Sequence, residues 1–373
     1  MFRDVRYRVM AGRLAEAGEM RGTSFAAVLE QAFALCRQAR WATGGSAKAD
    51  RQECLSHQLR ARVLLVLGVI LAAILFAILP IATRAGSVAL PPEAREAMDA
   101  MYGGDPDAAI PIARRVQKEM PDHPLGYLLE AEALWWKRYC ASCEIRYGMM
   151  DAWKRGRYPG DDAYLAVSGR EIEAAEKLLA TSETAEMHVY AGLGYALRAR
   201  VYGLRGENRN VARAAVKGRA EMLRALDLDP QQADAAAVLG VYNYYVETLS
   251  PIVKLLRVFM GIPGGNKDEG IRQMELGARQ GVFMAVDSRF ILATLIRQYD
   301  LKYEQALAAA EPLTVRYPRN PLFLVLAGNL NEELGRKSKA AEYFHAALDA
   351  NVSDPVCAVR VRDMGGAFLR SVQ

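Results

Sequence analysis

Histidine is scarce in this 373-residue chain: His57, His123, His188 and His345 are all there are. They are scattered, and none stands in an HExxH or comparable pattern, so the helical zinc-hydrolase arrangement is excluded. No GxSxG elbow occurs, which removes the corresponding serine nucleophile. The glycine-rich stretch GIPGGNK at 261–267 is no phosphate loop, because Lys267 lacks the required preceding glycine and a following Ser or Thr. Charge of one sign is also short where it would matter. Residues 1–62 hold 11 Lys/Arg against 6 Asp/Glu, which leaves 37 against 37 for everything after them. A nucleic-acid footprint needs basic residues clustered on a folded face, so no nucleic-acid partner is expected. No cofactor is implied either. Period-two alternation is almost missing, which argues against a β architecture.

What the chain does have is one long apolar run. Residues 63–82, VLLVLGVILAAILFAILPIA, are 20 consecutive residues without a charge. As a helix that is enough to cross about 30 Å of hydrocarbon. Arg60 and Arg62 precede it closely and only Arg84 follows closely. The positive-inside bias therefore keeps the N-terminus cytoplasmic and exports the rest. Two readings stay open. In one, residues 63–82 persist as a single-pass membrane anchor. In the other they are a signal-peptide core, with Ser87-Val88-Ala89 as the small-residue site and cleavage after Ala89. A buried helix of a cytosolic protein is the third, blander account. Residues 1–62 show no sustained period and read as a disordered basic segment or a gene-model artefact.

Downstream, proline and glycine recur at a 34-residue step. Pro321-Leu322-Phe323-Leu324 opens one unit, followed by Gly328, Gly335, Ala340, Phe344 and Ala347. One step earlier Asp287 opens another, with Phe290, Ala306 and Ala310, closing at Pro318. These residues resemble the tetratricopeptide repeat: small residues where two helices cross, an aromatic late in the second helix, and a proline stop. Ala310 departs from it, standing where the aromatic belongs. Upstream the pattern loosens, although Gly270, Met274 and Gly277 fit a second helix. Pro124–Tyr139 and Ala185–Leu204 read as long helices. The expected fold is all-α, a tetratricopeptide-like solenoid of five or six helical hairpins over 92–370.

The resemblance implies a concave groove lined by the first helix of each unit, in which such arrays bind a protein or peptide partner. By register the groove residues are Tyr244 and Tyr245, then Gln298 and Tyr299, then Asn329 and Glu332. Half-buried packing is the competing account of these tyrosines. Residues 250–261 add a helix inside one unit. Ser250-Pro251 supplies its N-cap and first position, Ile252, Leu255, Leu256 and Phe259 an apolar stripe, and Gly261 its end.

Cys140 and Cys143 form the one close cysteine pair. Haem attachment would need histidine at 144, where Glu144 stands, and zinc would need a second pair. In an oxidising compartment a Cys140–Cys143 disulfide is expected. Two buried reduced thiols, or an envelope thiol–disulfide enzyme, are the alternatives. The leading function is a non-catalytic extracytoplasmic scaffold. An auxiliary ligand-handling subunit of an envelope transport system is its variant.

Overall fold

The computed structural model describes residues 90–142, 156–249, 254, 258 and 262–372. They fall within one compact unit, Thr83–Gln373. The expected anchor at 63–82, the cleavage site at 87–89, Cys143 and most of the inserted helix at 250–261 lie outside the described residues. Of that insert, Lys254 and Val258 are helical, and Lys254 Nζ meets Glu247 Oε1 at 2.8 Å. Among the described residues no helix is long and apolar enough to cross a membrane.

Thirteen helices are described, and no strand among these residues. They form six hairpins: α1 (Pro92–Tyr102) with α2 (Pro106–Glu119), α3 (Leu125–Ser142) with α4 (Asp161–Leu179), and α5 (Ala185–Leu204) with α6 (Asn208–Leu228). Then come α7 (Ala233–Thr248) with α8 (Lys267–Gln280), α9 (Met284–Leu295) with α10 (Tyr303–Arg316), and α11 (Pro321–Glu333) with α12 (Lys337–Leu348). A last helix, α13 (Pro355–Val372), follows. The all-α architecture of the described residues is as the sequence leads one to expect.

Local chemistry sets the helix starts. Asp105 accepts from Ala108 N at 3.1 Å, Thr184 from Met187 N at 3.2 Å and Asn266 from Glu269 N at 2.9 Å. Each satisfies a first-turn N–H that the helix itself cannot. Within hairpins the crossings need small residues. A Cβ on Gly240 would sit 2.7 Å from Gly270 O, and one on Gly328 would collide with the Phe344 ring. That second contact is the small-against-aromatic packing expected from the repeat.

The array does not stay open. Trp136 of α3 meets Phe290 of α9 at 5.1 Å and Phe323 of α11 at 5.6 Å between ring centroids. Tyr102 of α1 lies 5.8 Å from both Trp136 and Tyr317. Asn320 caps α11 through its Oδ1 while its Nδ2 donates to Tyr102 O at 3.0 Å. The first two hairpins therefore pack against the last two. A disulfide joins Cys140 of α3 to Cys357 of α13, with Cα atoms 5.2 Å apart across 217 residues of chain. This corrects the expected Cys140–Cys143 bridge. A Cys140 sulfur bonded to Cys357 has no bond left for a nearer cysteine, and that pairing is set by tertiary packing rather than by spacing in the sequence. α13 brings Cys357 to the distance a bridge requires.

Candidate functional site

Helices α5 and α7 are apolar on nearly every face, the pattern of a helix with no side left for water. α5 reads AEMHVYAGLGYALRARVYGL and α7 reads ADAAAVLGVYNYYVET. Only part of that surface is taken up by neighbouring helices. The remainder lines a half-open cavity of about 570 Å³. Leu193, Ala196, Leu197 and Leu204 face it from α5, Val211, Ala215 and Gly218 from α6, and Val238, Val241 and Tyr245 from α7. Trp135 of α3 and Met284 and Ile291 of α9 complete the wall. Alanine, valine and glycine make up the small part of the lining, between the larger leucines and aromatics. Gly218 is small for a reason of its own: a Cβ there would come within 3.2 Å of Gly192 O, where α5 and α6 cross.

Two guanidinium groups reach this cavity, Arg200 and Arg219. Arg200 is fully committed. Its Nη1 donates to both Glu132 oxygens at 3.2 Å, its Nη2 to Asp287 Oδ1 at 3.2 Å, and it lies 5.3 Å over the Trp135 ring. Asp287 also accepts from the Tyr102 hydroxyl at 2.7 Å. Burial, with the Asp287 charge nearby, pushes Glu132 up to about 8 against the pull of Arg200. Behind it Glu171 is wholly buried, and neither of its oxygens has a hydrogen-bond partner. Burial first, and then the Glu132 charge, raise Glu171 well above the ordinary carboxyl range. Arg219 is different. It lies 5.5 Å over the Tyr242 ring, and its Nε is buried without a hydrogen-bond partner. The Tyr242 hydroxyl donates to Pro263 O at 2.8 Å, which fixes the ring beneath it.

The expected groove residues divide among different surroundings. Tyr245 lines the cavity. Tyr244 points the other way and is 0% exposed, its hydroxyl donating to Leu295 O at 3.2 Å and Asp300 Oδ2 at 3.1 Å. Its neighbour there is Tyr299, at 6.1 Å between rings. The π turn at Ile296–Asp300, which carries Gln298 and Tyr299, brings Asp300 to that hydroxyl. Asn329 is 1% exposed, because α11 is buried on all sides from Pro321 to Asn331. Glu332 accepts from Ser371 Oγ of α13 at 2.6 Å. No single open groove joins these six residues. The tyrosine and asparagine assigned to it, Tyr244 and Asn329, are core residues. Sequence reasoning passed over Arg200, Arg219 and Glu132. The available signal was the pair of helices apolar all round, which marks burial but does not tell core from cavity.

No family model matches the chain, and no curated protein matches it. Among solved structures, the crystal structure of yeast Tom70 is similar at 9% identity and a TM-score of 0.25. That match covers 75% of this chain and 88% of the yeast chain, a likeness too slight to carry any residue across.

Proposed function

We propose that this chain is a non-catalytic binding scaffold of the extracytoplasmic side, held by residues 63–82 or released after Ala89, that receives an apolar group of its partner in the cavity between α5, α6 and α7. The observation that carries this is the cavity itself, about 570 Å³ with nearly all of its wall apolar. That volume falls within the range of about 300–1,000 Å³ usual for small-molecule sites. The cavity is preferred to the groove expected from the register because Tyr244 and Asn329, two of the groove residues, are buried. Binding is favoured over catalysis because the acids nearest the wall, Glu132 and Asp287, are both engaged with Arg200. A thiol–disulfide role loses its nucleophile while Cys140 is bridged to Cys357 and both are buried. The same bridge supports an oxidising compartment.

The test is saturable binding of a neutral apolar fluorophore such as Nile red to the full chain. One equivalent should bind. Ala215→Leu, which narrows the cavity from α6, should weaken the signal while the helical circular dichroism holds. Binding that is unsaturable, or unchanged in Ala215→Leu, would exclude the cavity as the site.

A further inference from the structure

The chemistry of the occupant follows from what the cavity wall can and cannot satisfy. An extended peptide would bring its own N–H and C=O groups, and nearly all of this wall offers them nothing. Each buried amide left unpaired costs about 1–3 kcal/mol. A helix satisfies its own backbone but is bulky. One turn, about 10 Å across with a 5.4 Å pitch, occupies about 420 Å³, so little more than a turn would enter. A saturated hydrocarbon chain has no polar group to strand, and every methylene gains from burial.

The polar end is set by Arg219. Arg200 already has two carboxylates, Glu132 and Asp287. Among the described residues Arg219 faces the π cloud of Tyr242, and its Nε is buried without a hydrogen-bond partner. A cation fixed at the edge of an apolar trough is completed by an anion. A carboxylate suits the guanidinium fork, accepting two parallel N–H bonds. A second acid group on the same ligand would find no free donor on the Glu132 side, where Glu132 and Asp287 already occupy Arg200.

We infer that the cavity takes an aliphatic chain ending in a single carboxylate, with Arg219 as its headgroup contact. This rests on the cavity being the binding site. The Tyr242 hydroxyl bond to Pro263 holds the ring that positions Arg219, so the headgroup site is formed before the ligand arrives.

The experiment uses the full chain in its native membranes with a photoreactive dodecanoic acid analogue, and the labelled residues are read by mass spectrometry. Labelling should be saturable and fall on α5, α6 and α7. Excess dodecanoate should block it, and dodecanol should block it far less. Arg219→Gln should weaken it about tenfold or more, the usual scale for losing a hydrogen bond to a charged group, and Arg219→Lys should restore part of that. If dodecanol competes as well as dodecanoate and Arg219→Gln changes nothing, the headgroup inference is overturned and the apolar site survives. If neither compound competes while Nile red still binds and Ala215→Leu still weakens it, the ligand class is wrong. Protection of the cavity by an apolar protein segment, with dodecanoate inert, would also refute it. If Nile red binding fails too, the cavity reading itself falls.

Discussion

Two regions of this array solve the same packing problem in opposite ways. Around Trp136 the first and last hairpins meet, and aromatic rings fill the space, with Phe290, Phe323, Tyr139 and Tyr102 all within 6.0 Å of the Trp136 centroid. Between α5, α6 and α7 the helices are as apolar, yet alanine, valine and glycine stand among the leucines and aromatics that face inward, and a cavity is left. Apolar sequence alone therefore does not distinguish core from site. Side-chain volume does. A protein interior is packed nearly as densely as an organic crystal, so a void this large in an otherwise dense array is a feature of its sequence.

The comparison breaks first at Trp136. Trp136→Ala empties the junction between α3, α9 and α11 and should cost about 3–5 kcal/mol, the range for removing a buried aromatic. Urea unfolding should show the midpoint fall. Ala215→Leu places added volume in the other region and should cost under about 1 kcal/mol, whereas overpacking a filled core costs about 1–3 kcal/mol. Equal losses in the two variants would mean that the regions are packed alike.

Much of this fold is written in local sequence. The Asn320-Pro321 start, Gly328 and Phe344 specify a hairpin that forms as expected, and α5 is found between Ala185 and Leu204 as read. What sequence does not carry is closure. The Tyr102–Asp287 hydrogen bond joins residues 185 apart, and the Cys140–Cys357 bridge spans 217. Contacts that distant leave no period to detect. Register assigned Tyr245 to a groove, and it lines the cavity. The assignment failed at Tyr244, one residue on the other side of the helix, and at Asn329, because each is enclosed by elements that register cannot see.

The buried acids give a smaller, graded effect. Glu132 and Glu171 have carboxyls raised above the unfolded value by burial, Glu132 to about 8. A raised acid binds its proton more tightly in the folded state. Its contribution is therefore complete below the unfolded value near 4.5 and is lost as pH rises toward 8. Melting temperature should fall between pH 5 and pH 8, with a limit of about 1.4 kcal/mol per pH unit for each group. Glu171→Gln is neutral at every pH and should flatten this slope. An unaltered slope in that variant would assign the effect elsewhere. The cavity side should thus be the pH-sensitive region, since the aromatic junction has no comparable pair.

The smallest effect is expected at a turn. Three hairpins turn through a glycine with positive φ: Gly104 at 100°, Gly206 at 70° and Gly335 at 73°. At the matching place after α9 stands Leu301, at φ 52° and ψ 28°, the left-handed region. A side chain there costs about 1–2 kcal/mol, which glycine avoids. Glycine also has more freedom to lose on folding, worth about 0.5–1 kcal/mol in the opposite direction. Leu301 is 64% exposed, so little burial is forfeited. Leu301→Gly should therefore stabilise the chain by about 0.5 kcal/mol, seen as a higher urea midpoint with unchanged slope. A lower midpoint would show that the Leu301 side chain contributes more by packing than its backbone loses in strain. The turn after α9, with the π turn before it, would then be held by contacts that the glycine turns of the other hairpins do without.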